Sequence, residues 1–285
     1  MAGAVRIDVP LGFFVDRFND IVSFKRSPLV LQIGRFSSPP RLDDLERLAL
    51  DQADVDVLRR CRVGNCGLQL TASQIQRFAQ EMDWSEPDAR ARASRLFRQI
   101  LIESVTAYQT SGNSALPEHR DSADAVRAAD EFRALVTHSS SLLREAPELT
   151  EYLMEYPRVT SPRVQDFMYW SKEQFGLKPV VSITHAIVYT PQPGGVADLM
   201  IASKQIYASH YLDGSLALTL AAVDRPVSLD RPGFYMLYVN RTRTASIPPV
   251  VGGIVRRFIT GRSNSGMEEL LLMVKQRLEA EYANK

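Results

Sequence analysis

The sequence predicts an α+β fold, and three observations lead there. Apolar and polar residues alternate with a period of two near the start of the chain and again from Pro179 onward. A period of three to four governs the middle and the last stretch. The 285 residues, 45% hydrophobic and 24% charged, are enough to bury a substantial core.

Charge and composition narrow the partners. A formal net charge of +1 gives no field that would attract nucleic acid, so none is expected as a partner. No run approaches the ~18 consecutive apolar residues of a membrane span. "MAGAVRIDVPLG" lacks the basic start and apolar run of a signal peptide. The expected location is cytoplasmic if the sequence is full length, and periplasmic or exported if a leader has been removed.

Val5–Val9 alternates and stops at Pro10, an opening strand. "LGFFVDRFNDIVSF" sets Phe14, Phe18, Ile21 and Val22 at helical spacing. "PLVLQIGRF" reads as a second strand and "CGLQL" as a further short one. Thr71-x-x-Gln74 has capping-box form, and Pro87 suits a helix start. Ala89, Ala93, Leu96, Ile100, Ser104 and Tyr108 then share a helical face ending before Gly112. Helical pieces follow at about 121–144 and 147–156, so 71–158 is expected to be mostly helical.

The late strands are "VVSITHAIVYT", "SKQIYASHYLDGSLALTL" and "GFYMLYVNRTRTA". The middle one carries an apolar even row, including Lys204, Ile206, His210 and Leu212, and a polar or small odd row. Asp213-Gly214 would suit a hairpin turn. Because the apolar parity stays even on both sides, one strand bent at Gly214 is the simpler expectation. Met267, Leu270, Leu271, Val274 and Leu278 mark a closing amphipathic helix.

An opening strand and helices, long antiparallel strands and a closing helix are the parts of a helix-grip fold. Two segments resemble START-related lipid-transfer domains and the wider SRPBCC superfamily of polyketide cyclases and Bet v 1-like proteins. "VRIDVPLGFFVDRFNDIVSF" is similar to the family's strand-then-helix opening, with its aspartate-bearing turn at Asp20. "SIPPVVGGIVRRFITGRSNSGMEELLLMVKQRLE" is similar to its proline-marked turn and final helix. With the late strands, these cover about half the chain. The resemblance implies one START-like domain over 1–285, a curved antiparallel sheet around the last helix, and an internal cavity for a lipid or other hydrophobic small molecule. The block 71–158 departs from the family pattern and would be a helical insertion.

If the apolar faces match, His185 shares a face with Lys204 and His210. These three would be polar ligand contacts in an apolar cavity, with Tyr189, Trp170 and Tyr238 as further ligand-facing groups. A buried lysine must be paired or deprotonated, and a ligand carboxylate or phosphate would satisfy it. Alternatively Lys204 reaches a rim and each histidine bonds a backbone carbonyl. Trp170 belongs to "DFMYWSKEQFG", an aromatic cluster that is either a pocket wall or core packing between the helical block and the sheet.

No catalytic residue is assigned: "GNSAL" is not a nucleophile elbow, and neither H-E-x-x-H nor a P-loop occurs. The histidines 119, 138, 185 and 210 are scattered, so no metal or other cofactor is expected. Non-enzymatic binding or transfer of a lipid-like ligand is the expected function. The alternatives are a cyclase or aromatase in the same cavity, or a protein-interaction module using the helical block. Arg256, Arg257 and Arg262, with Arg241 and Arg243, could dock an anionic membrane or simply form a solvated helix start. Cys61 and Cys66 would form a small disulfide loop in an oxidising compartment and remain thiols elsewhere.

Overall fold

The structure is a computed structural model describing residues 2–174, 178–224, 232–244 and 249–285, with backbone alone over 249–265. The opening strand is β1, Ala2–Ile7, earlier than Val5–Val9. Pro10 has no N–H to donate to a ladder and caps α1, Leu11–Asn19, which buries Phe13, Phe14 and Phe18. The Asp20 carboxylate accepts from the Ser23 amide and starts α2, Ile21–Phe24. The second strand is β2, Val30–Arg35.

A helical layer follows, and it draws on residues from Leu42 onward. After a 3₁₀ turn at Leu42–Leu45 comes α3, Gln52–Leu58. "CGLQL" is no strand. Its amide at Gln69 donates to the Ser209 carbonyl and its Leu70 carbonyl accepts from Arg120, so it ties loops together rather than joining the sheet. Cys61 and Cys66 are disulfide-bonded across a turn, their Cα atoms 4.5 Å apart. Helix α4, Ala72–Glu81, carries the capping box of Thr71 and Gln74. Helix α5, Ala89–Ser111, stops at Gly112, whose φ of +59° suits glycine. A two-residue ladder joins β3, Glu118–His119, and β4, Val126–Arg127. Helix α6, Ala128–His138, therefore begins later than the expected 121. Short α7, Ser140–Leu143, and α8, Pro147–Glu155, complete the layer.

The aromatic segment expected between helices and sheet is itself a strand, β5, Val164–Glu173. It is followed by β6, Val180–Tyr189, β7, Leu199–Ala208, β8, Gly214–Val223, and β9, Phe234–Arg243. The seven long strands form one antiparallel sheet, in the order β1-β9-β8-β7-β6-β5-β2. Gly214 does not bend a single strand: β7 and β8 are a hairpin joined through residues 209–213. Even residues oppose even residues across it, Lys204 facing Leu216 and Ala202 facing Leu218. Parity alone therefore could not separate a hairpin from a bent strand. Opposite β6, the register shifts at Ile206, between the Thr184–Gln205 and Ile183–Tyr207 pairs. This bulge reverses the parity of β7 beyond it.

The sheet is covered on both faces. One face presents Met168, Trp170, Ile183, Ile187, Met200, Ala202, Leu216 and Leu218 to the helical layer. The other presents Phe167, Tyr169, Ala186, Val188, Leu199, Ile201, Phe234 and Met236 to α1 and to α9, Pro249–Ala283. Met267, Leu271 and Leu278 of α9 are buried there, while Leu270 is exposed. Gly3 allows the close approach, since a Cβ on it would meet the Leu271 and Met267 side chains. Lys275 donates to the Arg6 carbonyl at 2.9 Å, and Arg277 to that of Phe24 at 3.1 Å, which fixes α9 against β1 and α2.

Candidate ligand-binding site

The two faces hold two different polar arrangements. On the helical side, His185 and Lys204 are register partners on β6 and β7, as the matched apolar faces required. Lys204 is fully buried, and its Nζ donates to Tyr108 OH at 3.0 Å and to Asn113 Oδ1. Its ammonium also lies 3.8 Å from the Phe132 ring centroid. Tyr108 OH contacts His185 Nδ1 at 3.1 Å, and His185 Nε2 contacts Asp166 Oδ2 at 2.7 Å. Burial lowers the Lys204 pKa well below its ordinary value, and among the described residues no carboxylate offsets it. Burial also lowers that of His185, against the pull of Asp166. Here the protein supplies the partners that a ligand headgroup would otherwise supply. The cavity lined by Tyr108, Ile183, Ile206 and Tyr207 on this side is about 10 Å³, room for one water.

His210 lies elsewhere. Past the bulge, at the β7–β8 turn, it contacts Asp54 at 3.2 Å. Gln69 donates to Asp213 at 3.0 Å in the same region. His119 is buried nearby with neither ring nitrogen hydrogen-bonded, and burial pushes its pKa down to about 4. Trp170 is fully buried, its Nε1 donating to the Asp44 carbonyl at 2.8 Å. Tyr189 donates to Glu148 at 3.2 Å. Both belong to the interface with the helical layer. Arg243 pairs with Glu131 of α6. The side chains of Arg256, Arg257 and Arg262 lie outside the described residues.

Tyr238 is on the other face, and around it is an arrangement that sequence reasoning missed. The apolar cluster shared with α1 and α9 takes in Val188, Ile201, Ala221 and Met236 at one end of that face. Toward the other end, alternation gives Ser171, Ser182, Thr184, Ser203, Gln205, Ala217 and Thr219 the same orientation. Ser203 and Thr219 sit on central strands of the sheet yet are only half-buried, whereas Lys204 and Leu218 beside them are fully buried. Small side chains predominate there. The hydroxyls of Tyr169, Thr184, Ser203, Thr219 and Tyr238 have no hydrogen-bond partner among the described residues.

Lys25, following α2, completes this end. Its Nζ pairs with Glu173 Oε1 at 2.8 Å and lies 5.4 Å from the Tyr169 ring centroid. Ser171 donates to the same carboxylate oxygen at 2.6 Å. Burial opposes both charges of the pair. Tyr169 and Glu173 nevertheless raise the Lys25 pKa, and Lys25 lowers that of Glu173. Burial pushes the Tyr238 phenol up to about 12, with Lys25, Tyr169 and Glu173 all near enough to act on it. Strands β5 and β9 are four places apart, about 19 Å in a flat sheet. Groups from strands near opposite edges of the sheet therefore come close enough to act on one another.

The sequence signal for this site was the odd row of Ser203 and Gln205, which read as the plain polar face of a strand. What periodicity could not tell is which row faces the last helix. Comparison with family models, with curated proteins and with solved structures finds no match to this chain. Among the described residues, no helix is long and apolar enough to cross a membrane.

Proposed function

We propose that this chain binds a hydrophobic, lipid-like molecule between the sheet and its C-terminal helix, as a carrier or receptor without chemistry. The observation that carries the reading is the half-buried, hydroxyl-bearing face of the central strands at Ser203 and Thr219. A sheet face intended only for packing would be filled there with Val, Ile or Leu, as it is one or two residues along at Val188 and Ile201. The helix-grip architecture suggested by the chain ends supports the same reading. It gives the site a floor in the sheet, an apolar end wall in Phe14, Phe18 and Phe167, and a polar end in Tyr169, Tyr238, Lys25 and Glu173. The apolar wall would take the chain of an amphiphile and the polar end its head.

Native mass spectrometry of the purified protein, followed by denaturation and lipid extraction, tests this directly. A stoichiometric amphiphile is expected, and Thr219→Trp or Ser203→Trp should displace it while the circular dichroism spectrum stays unchanged. Undiminished ligand in both variants would place the ligand elsewhere.

A further inference from the structure

Within the site just proposed, the charges at its polar end restrict what the head of the ligand can be. We infer that the ligand is a neutral amphiphile, with a hydroxyl, ester or amide head and no net charge, rather than a free fatty acid or a phosphate ester.

Lys25 and Glu173 are the charged groups that reach this end of the face among the described residues, and they neutralise each other at 2.8 Å. Lys172 on β5 points to the opposite face, where it donates to the Ala49 carbonyl and pairs with Asp51 at 2.8 Å. Lys204 points the same way and is held by Tyr108 and Asn113. Arg35 lies toward the apolar end, 4.2 Å from the Phe167 ring centroid and bonded to the Asn19 carbonyl. Among the described residues, no cation is left over for an anionic head. A carboxylate brought beside Glu173 would either compete with it for Lys25 or remain an uncompensated buried charge, and both are costly. A neutral head meets no such obstacle. It finds phenol and alcohol groups on Tyr169, Tyr238, Thr184, Ser203 and Thr219 that can each donate or accept, none of them bonded to another described residue.

The inference rests on the ligand site proposed above, and one experiment separates the two. Binding of hexadecanol, of monopalmitoylglycerol and of palmitate would be measured by isothermal titration with the full chain at pH 8, below the micelle-forming concentration of each. Expected is at least about a tenfold preference for the neutral compounds over palmitate, the scale set by a modest charge-burial penalty. Glu173→Gln frees the Lys25 ammonium and should move the preference toward palmitate. Should that variant not fold, wild-type palmitate binding as the pH is lowered gives the same information, since a protonated head should bind more tightly. Equal or tighter binding of palmitate at pH 8 would overturn the neutral-head inference and leave the site intact. If none of the three binds, or if Thr219→Trp leaves binding unchanged, the site itself is wrong.

Discussion

Lys204, at the middle of the sheet, donates to the side-chain carbonyl of Asn113, at the foot of the longest helix of the helical layer. The Asn113 amide in turn donates to the carbonyls of Leu153 and Met154, so one side chain ties β7, α5 and α8 together. This chain of contacts lies in a buried interior, where a charged amine is disfavoured. Its contribution must therefore depend on pH.

The sign is set by the lowered pKa of Lys204. The unfolded chain keeps this proton up to its ordinary value of about 10.4, while the folded chain gives it up sooner. Stability from this group accordingly rises with pH across the window below that value. Lys204→Met lacks the dependence. The variant is expected to gain on the wild type as pH falls from 9.5 to 7, measured by urea melts at each pH. A constant difference would mean that the folded amine keeps its proton.

His119 predicts a second dependence, at lower pH. Its folded pKa of about 4 lies below the ordinary histidine value, so the unfolded chain binds the extra proton between the two. Stability is lost as pH falls through that window, by about 3 kcal/mol in full. Asp121, pushed up to about 6 by burial, acts in the opposite direction over nearly the same range. The wild type alone would therefore show little. The difference between wild type and His119→Leu isolates the histidine and should change in favour of the variant between pH 7.5 and 4.5.

Two glycines with positive φ should respond very differently to alanine. At Gly112, φ is +59° and an added Cβ would collide with the Tyr156 carbonyl. Both backbone strain and overlap then apply, and a loss above about 3 kcal/mol is expected. Gly194 has φ +93° but nothing within 4 Å of its would-be Cβ, so strain alone remains, about 1 kcal/mol. Thermal melts of the two variants would show whether overlap is the larger cost.

Removing the Cys61–Cys66 bond by paired substitution to alanine should lower stability by about 2 kcal/mol, the loop-closure value for so short a loop. The disulfide also steadies a turn whose Gly64 and Cys66 amides donate to the Arg120 and Asp121 carbonyls. Amide exchange should accordingly quicken at Gly64 and Cys66 more than in β6, and a uniform change would speak against a local role.

What could be read from the sequence was what depends on neighbours in the chain. Thr71 and Gln74 cap a helix by themselves, and the strands at Val180 and Phe234 alternate visibly. β5 escaped because Phe167, Met168, Tyr169, Trp170, Ser171 and Lys172 are buried in succession, leaving no exposed row to set a period. The partners of Lys204 escaped for another reason. Asn113 and Tyr108 are more than ninety residues away, and no local pattern announces a contact at that range. The choice of face mattered most for the site. Lys204 and His185 were rightly placed together, but the structure puts them against the helical layer, not against the last helix.

The single extra residue at Ile206 has a consequence for how this chain can vary. Up to Gln205 the odd residues face α9, and from Tyr207 they face the helical layer, so the two halves of the strand read in opposite frames. Loss of the Ile206 codon would leave the Thr184–Gln205 and Ile183–Tyr207 pairs consecutive, and Tyr207 would still face Phe97 and His119, which its ring now meets. A one-residue deletion at the bulge is thus a change the ladder can absorb, since it removes the Ile206 side chain and leaves the address of each residue from Tyr207 to the turn as it was.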